Sequence, residues 1–417
     1  MHPFRSAALL LALLLTACSV GSRTPSALRD IPPAPTTIPL PSVTTAPSTA
    51  ASVATAAETT ATTAATSAAA ANDPQFPTPK PITLPPGFTA SVYSQDVGKA
   101  RGLALGPDGH AYLADIGGGR ILRLATMPTA DGLHPAEAVI TGLDQPHSLA
   151  FHDGALYVGE TNQVARFTPD GDGWGNKTVI VPNLPTGGHH TRTVLFGADG
   201  KLYVSIGSSC NVCDEDDDRR ATVMQYDADG SNGRIYTAGL RNAVGLAINP
   251  ATKEIWASNN GRDMLGDDLP PETVNVLADG ADFGWPRCHA GRIVDPDFGG
   301  AAGCENVKAP AVEMQAHSAP LGLAFYTGTQ FPADYQGNVL VAFHGSWNRT
   351  KPTGYKIVRV TLDAQGNAGA VQDFAVGWRD ATGDVWGRPV DLLVLPDGSL
   401  LVSDDASGMV FRIAYQG

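Results

Sequence analysis

Positive charge is the first thing this chain is short of. Its 28 Lys and Arg stand against 41 Asp and Glu, a formal net charge of −13. The basic footprint of a nucleic-acid binder is therefore missing, and nucleic acid is not expected as a partner. Charge of either sign is sparse, at 17% of residues, and no long stretch reads as an amphipathic helix. A bilayer-crossing segment is also lacking, because the apolar run Ala7 to Leu15 is too short to span. What abounds is turn-forming residues, 46 Gly and 32 Pro in 417 residues. Together these features predict an all-β protein.

The N-terminus reads as a targeting segment. Arg5 precedes the apolar run, and Leu15-Thr16-Ala17-Cys18 follows it. This ending resembles a bacterial lipoprotein signal, with residues 1–17 removed and Cys18 lipidated; an ordinary secretory signal is the alternative. Residues 18–80 are mostly Thr, Ala, Ser and Pro, with too few large apolar side chains to offset the entropy of ordering. They are expected to form a disordered tether. The chain is thus expected to be exported and held at the cell envelope by its lipid alone, on the periplasmic or extracytoplasmic face.

From residue 81 to 417 one pattern recurs: apolar alternation, a Gly/Asp turn, apolar alternation. Copies begin at Gly102, Ser148, Thr193, Gly245, Gly322 and Asp391. Each reads as two strands joined by a tight turn, and several are followed by a third strand such as RILRLA or MVFRIA. A period that starts near 45 residues and lengthens to roughly 50–75 is the signature of propeller blades. Six copies predict a six-bladed β-propeller, with Phe88 to Tyr93 completing the last blade and closing the ring. A β-sandwich is the alternative. Extra length after the fourth and fifth copies is expected in loops on one face.

Several residues in these loops suit chemistry. His189 and His190, in LPTGGHHTRT, precede an inner strand, where a neutral imidazole is a suitable general base. Arg241 beside Asn242 offers a cationic, hydrogen-bonding fork for a planar acidic ligand. The Gly-rich turn Asn259 to Asp263 offers free carbonyls to a hard cation such as calcium. Cys288 and Cys304 flank an insertion and are expected to bridge. No second CxxC accompanies Cys210 and Cys213, so a local disulfide is expected there rather than a zinc site. The acidic run Asp214 to Asp218 is read as solvated surface, and Trp347 and Trp378 as packing residues or sugar-stacking platforms.

The strings GLRNAVGLA, NNGRD, DDLPPE and ADFGWP, with HHTRT, resemble the soluble quinoprotein glucose and sorbosone dehydrogenases, nearest the sorbosone dehydrogenase-like branch. The resemblance covers roughly residues 82–417. It implies oxidation of a sugar, a sorbosone-like aldehyde or a polyol by hydride transfer to pyrroloquinoline quinone, with calcium polarising the quinone carbonyl. By position it implies His189 as the base, Gln145, Arg241, Asn242 and Arg388 at the cofactor, and the carbonyls of Gly261 and Arg262 on calcium. Electrons would leave to a quinone or a small redox protein. The chain departs from the glucose enzymes at Ser208, where they carry an aspartate, and at Val390, where they carry an arginine. Their cofactor lysine has no clean counterpart, with Arg349 or Lys351 as candidates. A calcium-dependent lactonase propeller and a non-catalytic glycan- or protein-binding propeller are the rival readings.

Overall fold

The computed structural model describes residues 74–417; Cys18 and most of the expected tether lie outside them. Six four- or five-stranded sheets, antiparallel but for one added parallel strand in the third, follow one another along the chain, with a two-stranded sheet besides. Blade 1 holds Ala100–Leu105, Ala111–Asp115, Arg120–Leu124 and Ala136–Ile140. Blades 2, 3, 4 and 5 open with the inner strands Ser148–His152, Val194–Phe196, Leu246–Ile248 and Pro320–Phe325. Blade 6 takes Pro389–Val394, Leu400–Asp404 and Met409–Tyr415 from the C-terminus, and its fourth strand is Phe88–Ser94. Phe88 pairs with Tyr415 and Val92 with Phe411, so the two ends of the described chain share one sheet. The pairing begins ahead of Pro81, since Phe76–Pro77 adds to Val92 and Ser91. Among the described residues no helix is long and apolar enough to cross a membrane.

The hairpin turns follow directly from the sequence. In the first, Gly106 N–H donates to His110 O at 2.8 Å, Asp108 accepts from His110 N–H at 3.2 Å, and Tyr112 Oη donates to Asp108 at 2.8 Å. Gly109 has φ of 80°, the left-handed conformation this turn requires. Asp199, Gly200 and Tyr203 repeat the arrangement in blade 3.

No blade has a core of its own. Each large apolar cluster lies between two neighbours: Leu113 and Leu122 of blade 1 with Leu401 of blade 6, and Trp256 and Val274 of blade 4 with Val341 and Phe343 of blade 5. Apolar burial therefore rewards only the closed ring. The inner strands have one ladder edge facing the axis, and side chains of the preceding blade bond to it. Ser258 Oγ accepts from Gly245 N–H at 2.9 Å in its own blade and donates to Leu321 O of blade 5 at 2.5 Å. Ser403 Oγ does the same between Asp391 N–H and Arg101 O, joining blade 6 to blade 1. Close approach explains Gly102, where a Cβ would sit 2.9 Å from His147 O of blade 2.

The insertion of blade 4 lies between Glu272–Val276 and Val312–Met314. The Cys288–Cys304 disulfide closes it, as expected, and Cys210–Cys213 also forms a disulfide.

Candidate active site at the hub of the ring

In each blade the start of the inner strand pairs with the end of the second strand: Ser148 with Gly159, Val194 with Val204, Leu246 with Ala257, Pro389 with Asp404. Segments just outside these pairs therefore share one face. His189, Arg241, Arg388 and the 259–263 loop all stand on it.

His189 is half-buried and firmly held. Its backbone N–H and its Nδ1 both reach Ser208 O, at 2.9 and 3.0 Å. A carbonyl only accepts, so Nδ1 carries the proton and Nε2 keeps its lone pair. Ser208 Oγ, 3.0 Å from Nδ1, donates its own proton to Cys210 O at 2.6 Å and so accepts from the ring. Two buried guanidinium groups brace the loop: Arg192 donates to the carbonyls of Pro185, His189 and Thr191, and Arg220 to those of Thr186, Gly187 and Gly207. Burial, then the charge of Arg241 and that of Arg220, lowers the His189 pKa to about 4. The ring is neutral at pH 7. His190 lies next to it with Nδ1 3.4 Å from Gly188 O.

Asn242 is buried close to His189. A Cβ on Gly207 would meet Asn242 Oδ1 at 2.5 Å and His189 Cβ at 2.6 Å, so only glycine lets the two side chains close on each other. Arg241 uses four of its five N–H donors: Nε donates to Asn211 O at 3.0 Å, Nη1 to Gly261 O at 2.8 Å, and Nη2 to Asn211 Oδ1 at 3.0 Å and Asp263 Oδ2 at 2.8 Å. The resemblance implies Arg241 at the cofactor; here Asp263 is its counter-charge. Gly261 O carries that one hydrogen bond, and Arg262 O accepts none among the described residues, which leaves lone pairs for a cation on both. The Arg262 side chain turns away into the insertion, pairing with Asp295 and with Asp297 at 2.6 Å. His289 Nε2 meets the same Asp295 at 2.8 Å. Burial pushes Glu272 up to about 7, although it accepts from Gly261 N–H at 2.7 Å and Ala319 N–H at 3.1 Å.

On the opposite side Arg388 donates weakly to Gly345 O at 3.4 Å and lies 5.3 Å from the Tyr355 ring centre. Its guanidinium forms no ion pair among the described residues, while its backbone N–H donates to Asp404 Oδ2 at 2.7 Å. Beside it run His344 to Asp405 at 2.9 Å, Asp405 to Arg101 at 2.8 Å, Arg101 to His147 at 3.1 Å, and His147 to Thr193 at 3.5 Å. Burial, then the Arg101 charge, holds the His147 pKa well below its usual value. In the other direction Asp263 meets Asn348 at 3.1 Å, and Asn348 meets His317 at 3.4 Å. The result is a polar belt that passes through all six blades. Below it opens a hollow of about 820 Å³ lined by inner strands, with His147, Thr193 and Val390 in its wall. Gln145 stands on the same face, exposed, and hydrogen-bonds to none of these groups.

Arg349 binds the carbonyls of Asp267 and Ala316 and the Asp268 carboxylate, which clasps two loops rather than adding to the belt. Asp267, Asp268 and Glu272 do not converge; among the described residues the one trio with metal-ligand spacing is Cys210, Cys213 and Glu215, whose sulfurs are joined in the disulfide. Trp378 is fully buried packing, whereas Trp347 is 72% exposed. Sequence reasoning missed Asp405, Arg101, His147, Asn348 and Asn211. His147 had the only local signal, two residues after Gln145 in GLDQPHSLAF.

Residues 150–412 match the family model "Glucose / Sorbosone dehydrogenase". A protein of Borreliella burgdorferi with no assigned function is 29% identical over 80% of this chain and 91% of its own length. The pyrroloquinoline quinone-dependent pyranose dehydrogenase of Coprinopsis cinerea is 25% identical over 78% of this chain, which spans only 54% of that protein. The holo form of that enzyme's quinone domain superposes with a TM-score of 0.69, 23% identity, and coverage of 82% of this chain and 98% of the domain. A Trichoderma reesei enzyme of carbohydrate-active family AA12 superposes with a TM-score of 0.70, 23% identity, and coverage of 83% and 100%. With more than half its length matched by the family model, and a six-bladed ring carrying the expected histidine and arginines on one face, the chain belongs to the glucose/sorbosone dehydrogenase family.

Proposed function

We infer that this protein oxidises a sugar, a sorbosone-like aldehyde or a polyol, with pyrroloquinoline quinone and calcium at the hub. The observation that carries the reading is Arg388, a half-buried cation with no counter-charge, on the same belt as an imidazole whose Nε2 is free. The residues suit a planar polyanion. Arg101 has an unpartnered buried Nε, and Asp405 is the carboxylate that Arg101 and His344 share. The carbonyls of Gly261 and Arg262 suit calcium, a hard cation with a preference for oxygen. The named relatives support the cofactor class.

Bound quinone would supply a two-electron oxidant able to accept hydride. The protein's share is placement and proton handling. His189 Nε2 takes the proton of the substrate hydroxyl, while Ser208 fixes the tautomer that makes this nitrogen the acceptor. Arg388 and Arg101 would hold carboxylates of the cofactor. Arg241, whose charge Asp263 offsets in part, would lie near oxygen that gains negative charge. A quinone or small redox protein would take the electrons onward, and lipid at Cys18 would keep the enzyme at the envelope surface.

Titration of apoprotein with pyrroloquinoline quinone, followed by absorbance, tests this. A saturable change that needs calcium is expected, and Arg388→Ala should weaken binding about tenfold, the loss of one charged hydrogen-bonded contact. No saturable change in wild type would overturn the reading.

A further inference from the structure

The Cys210–Cys213 turn joins groups of two blades, since its carbonyls and the Asn211 side chain bond Ser208, Arg241 and Asp263. We propose that Asn211, at its centre, is a positioning residue that sets the Arg241 guanidinium and the 261–263 loop in register with His189. Its kinetic consequence rests on the dehydrogenase reading above.

Asn211 uses all of its polar atoms bar the backbone N–H. Its carbonyl accepts Arg241 Nε–H at 3.0 Å and Trp285 Nε1–H at 3.2 Å. Its Oδ1 accepts Arg241 Nη2–H at 3.0 Å and Asp263 N–H at 2.8 Å, and its Nδ2 donates to Asp263 O at 3.1 Å. The guanidinium is thereby held at two of its nitrogens by one residue. Asp263 is gripped through both backbone groups, as one strand grips another. The next residue back in the turn does the same for the base, since Cys210 O takes the Ser208 Oγ–H that would otherwise compete for the His189 ring. The disulfide ties the two ends of this turn together. One four-residue loop of blade 3 thus fixes the base of blade 3 and the cation and carbonyl loop of blade 4. Arg241 is not held by its own blade alone, because Asp263, its carboxylate partner, is itself gripped by Asn211.

The test uses Asn211→Ala and Asn211→Asp in the full chain, with two readouts. The first is hydrogen exchange of the Asp263 amide in apoprotein, which needs no cofactor. The second is steady-state oxidation after loading with quinone and calcium. Asn211→Ala should expose the Asp263 amide and lower kcat by about 10- to 100-fold, the scale of a misplacement near 1 Å, with a smaller change in KM. Asn211→Asp keeps the Oδ1 acceptor for the Asp263 amide but loses the Nδ2–H donor to Asp263 O, so it should keep that amide protected and recover kcat in part. Wild-type kcat in Asn211→Ala, or an Asp263 amide equally protected in it, overturns the proposal. If Asn211→Ala does not fold, Asn211→Asp decides: a protected Asp263 amide supports the role, and an exposed one refutes it. A wild type that binds quinone but oxidises no sugar sinks the dehydrogenase reading, and the exchange readout still judges Asn211.

Discussion

A histidine that must accept a proton at neutral pH has to be neutral there, and His189 is kept so by burial and by Arg241 and Arg220. Its folded pKa, about 4, is below the usual 6.5, so between these values the unfolded chain binds the extra proton. Stability therefore falls as pH drops from 6.5 toward 4 and is unaffected by this group above 6.5. Histidine NMR on apoprotein should find His189 titrating near pH 4, and Arg241→Ala should raise it; a wild-type midpoint at or above 6.5 would refute the electrostatic account. At this scale the sequence was a partial guide. HHTRT and GLRN named His189 and Arg241. Ser208 read as a lost aspartate, because nothing local says that its hydroxyl is spent on Cys210 O and its oxygen on the imidazole. Arg192 and Arg220 gave no signal either: their partners are backbone carbonyls, which have no side-chain signature.

At the scale of elements, the two disulfides do different work. The chain-entropy relation gives ~3 kcal/mol for a loop the size of the insertion and ~2 kcal/mol for the four-residue turn. Cys288→Ser with Cys304→Ser should therefore lose more stability in chemical denaturation than Cys210→Ser with Cys213→Ser. Turnover should rank the other way, since the short turn holds Ser208 and Asn211; equal turnover in the short-turn variant and wild type would contradict this. The inner hairpins were legible because PDG and ADG turns sit between alternating apolar runs. The outer strands were not. Ala136–Ile140 and Ala368–Val376 are mostly exposed, so the alternation that marks a half-buried strand is absent from them.

The whole molecule depends on closure. Six copies of one pattern made the ring readable, and Phe88 to Tyr93 was recognisable as its clasp because an apolar strand stood ahead of the first copy. The belt was not readable, since Asp405, Arg101 and His147 come from blades 6, 1 and 2 and meet only once the ring shuts. Val92 is 1% exposed in the clasp. Val92→Asp, which buries an unpaired charge there, should destabilise by ~4 kcal/mol or more, measured by urea denaturation, and should weaken quinone binding although Val92 touches no site residue. A small stability change would mean the ring holds without its clasp.

The central claim is that His189 takes the substrate's proton at a quinone-loaded hub. An anaerobic single-turnover measurement reaches it directly: quinone- and calcium-loaded protein is mixed with an aldose, sorbosone or polyol, and reduction of the quinone is followed by absorbance. Wild type should reduce it in one exponential phase with at least one of these substrates, and His189→Gln should do so about 10²- to 10⁴-fold more slowly with its quinone still bound. An equal rate in the two proteins, or no reduction in loaded wild type with any of them, would contradict the account.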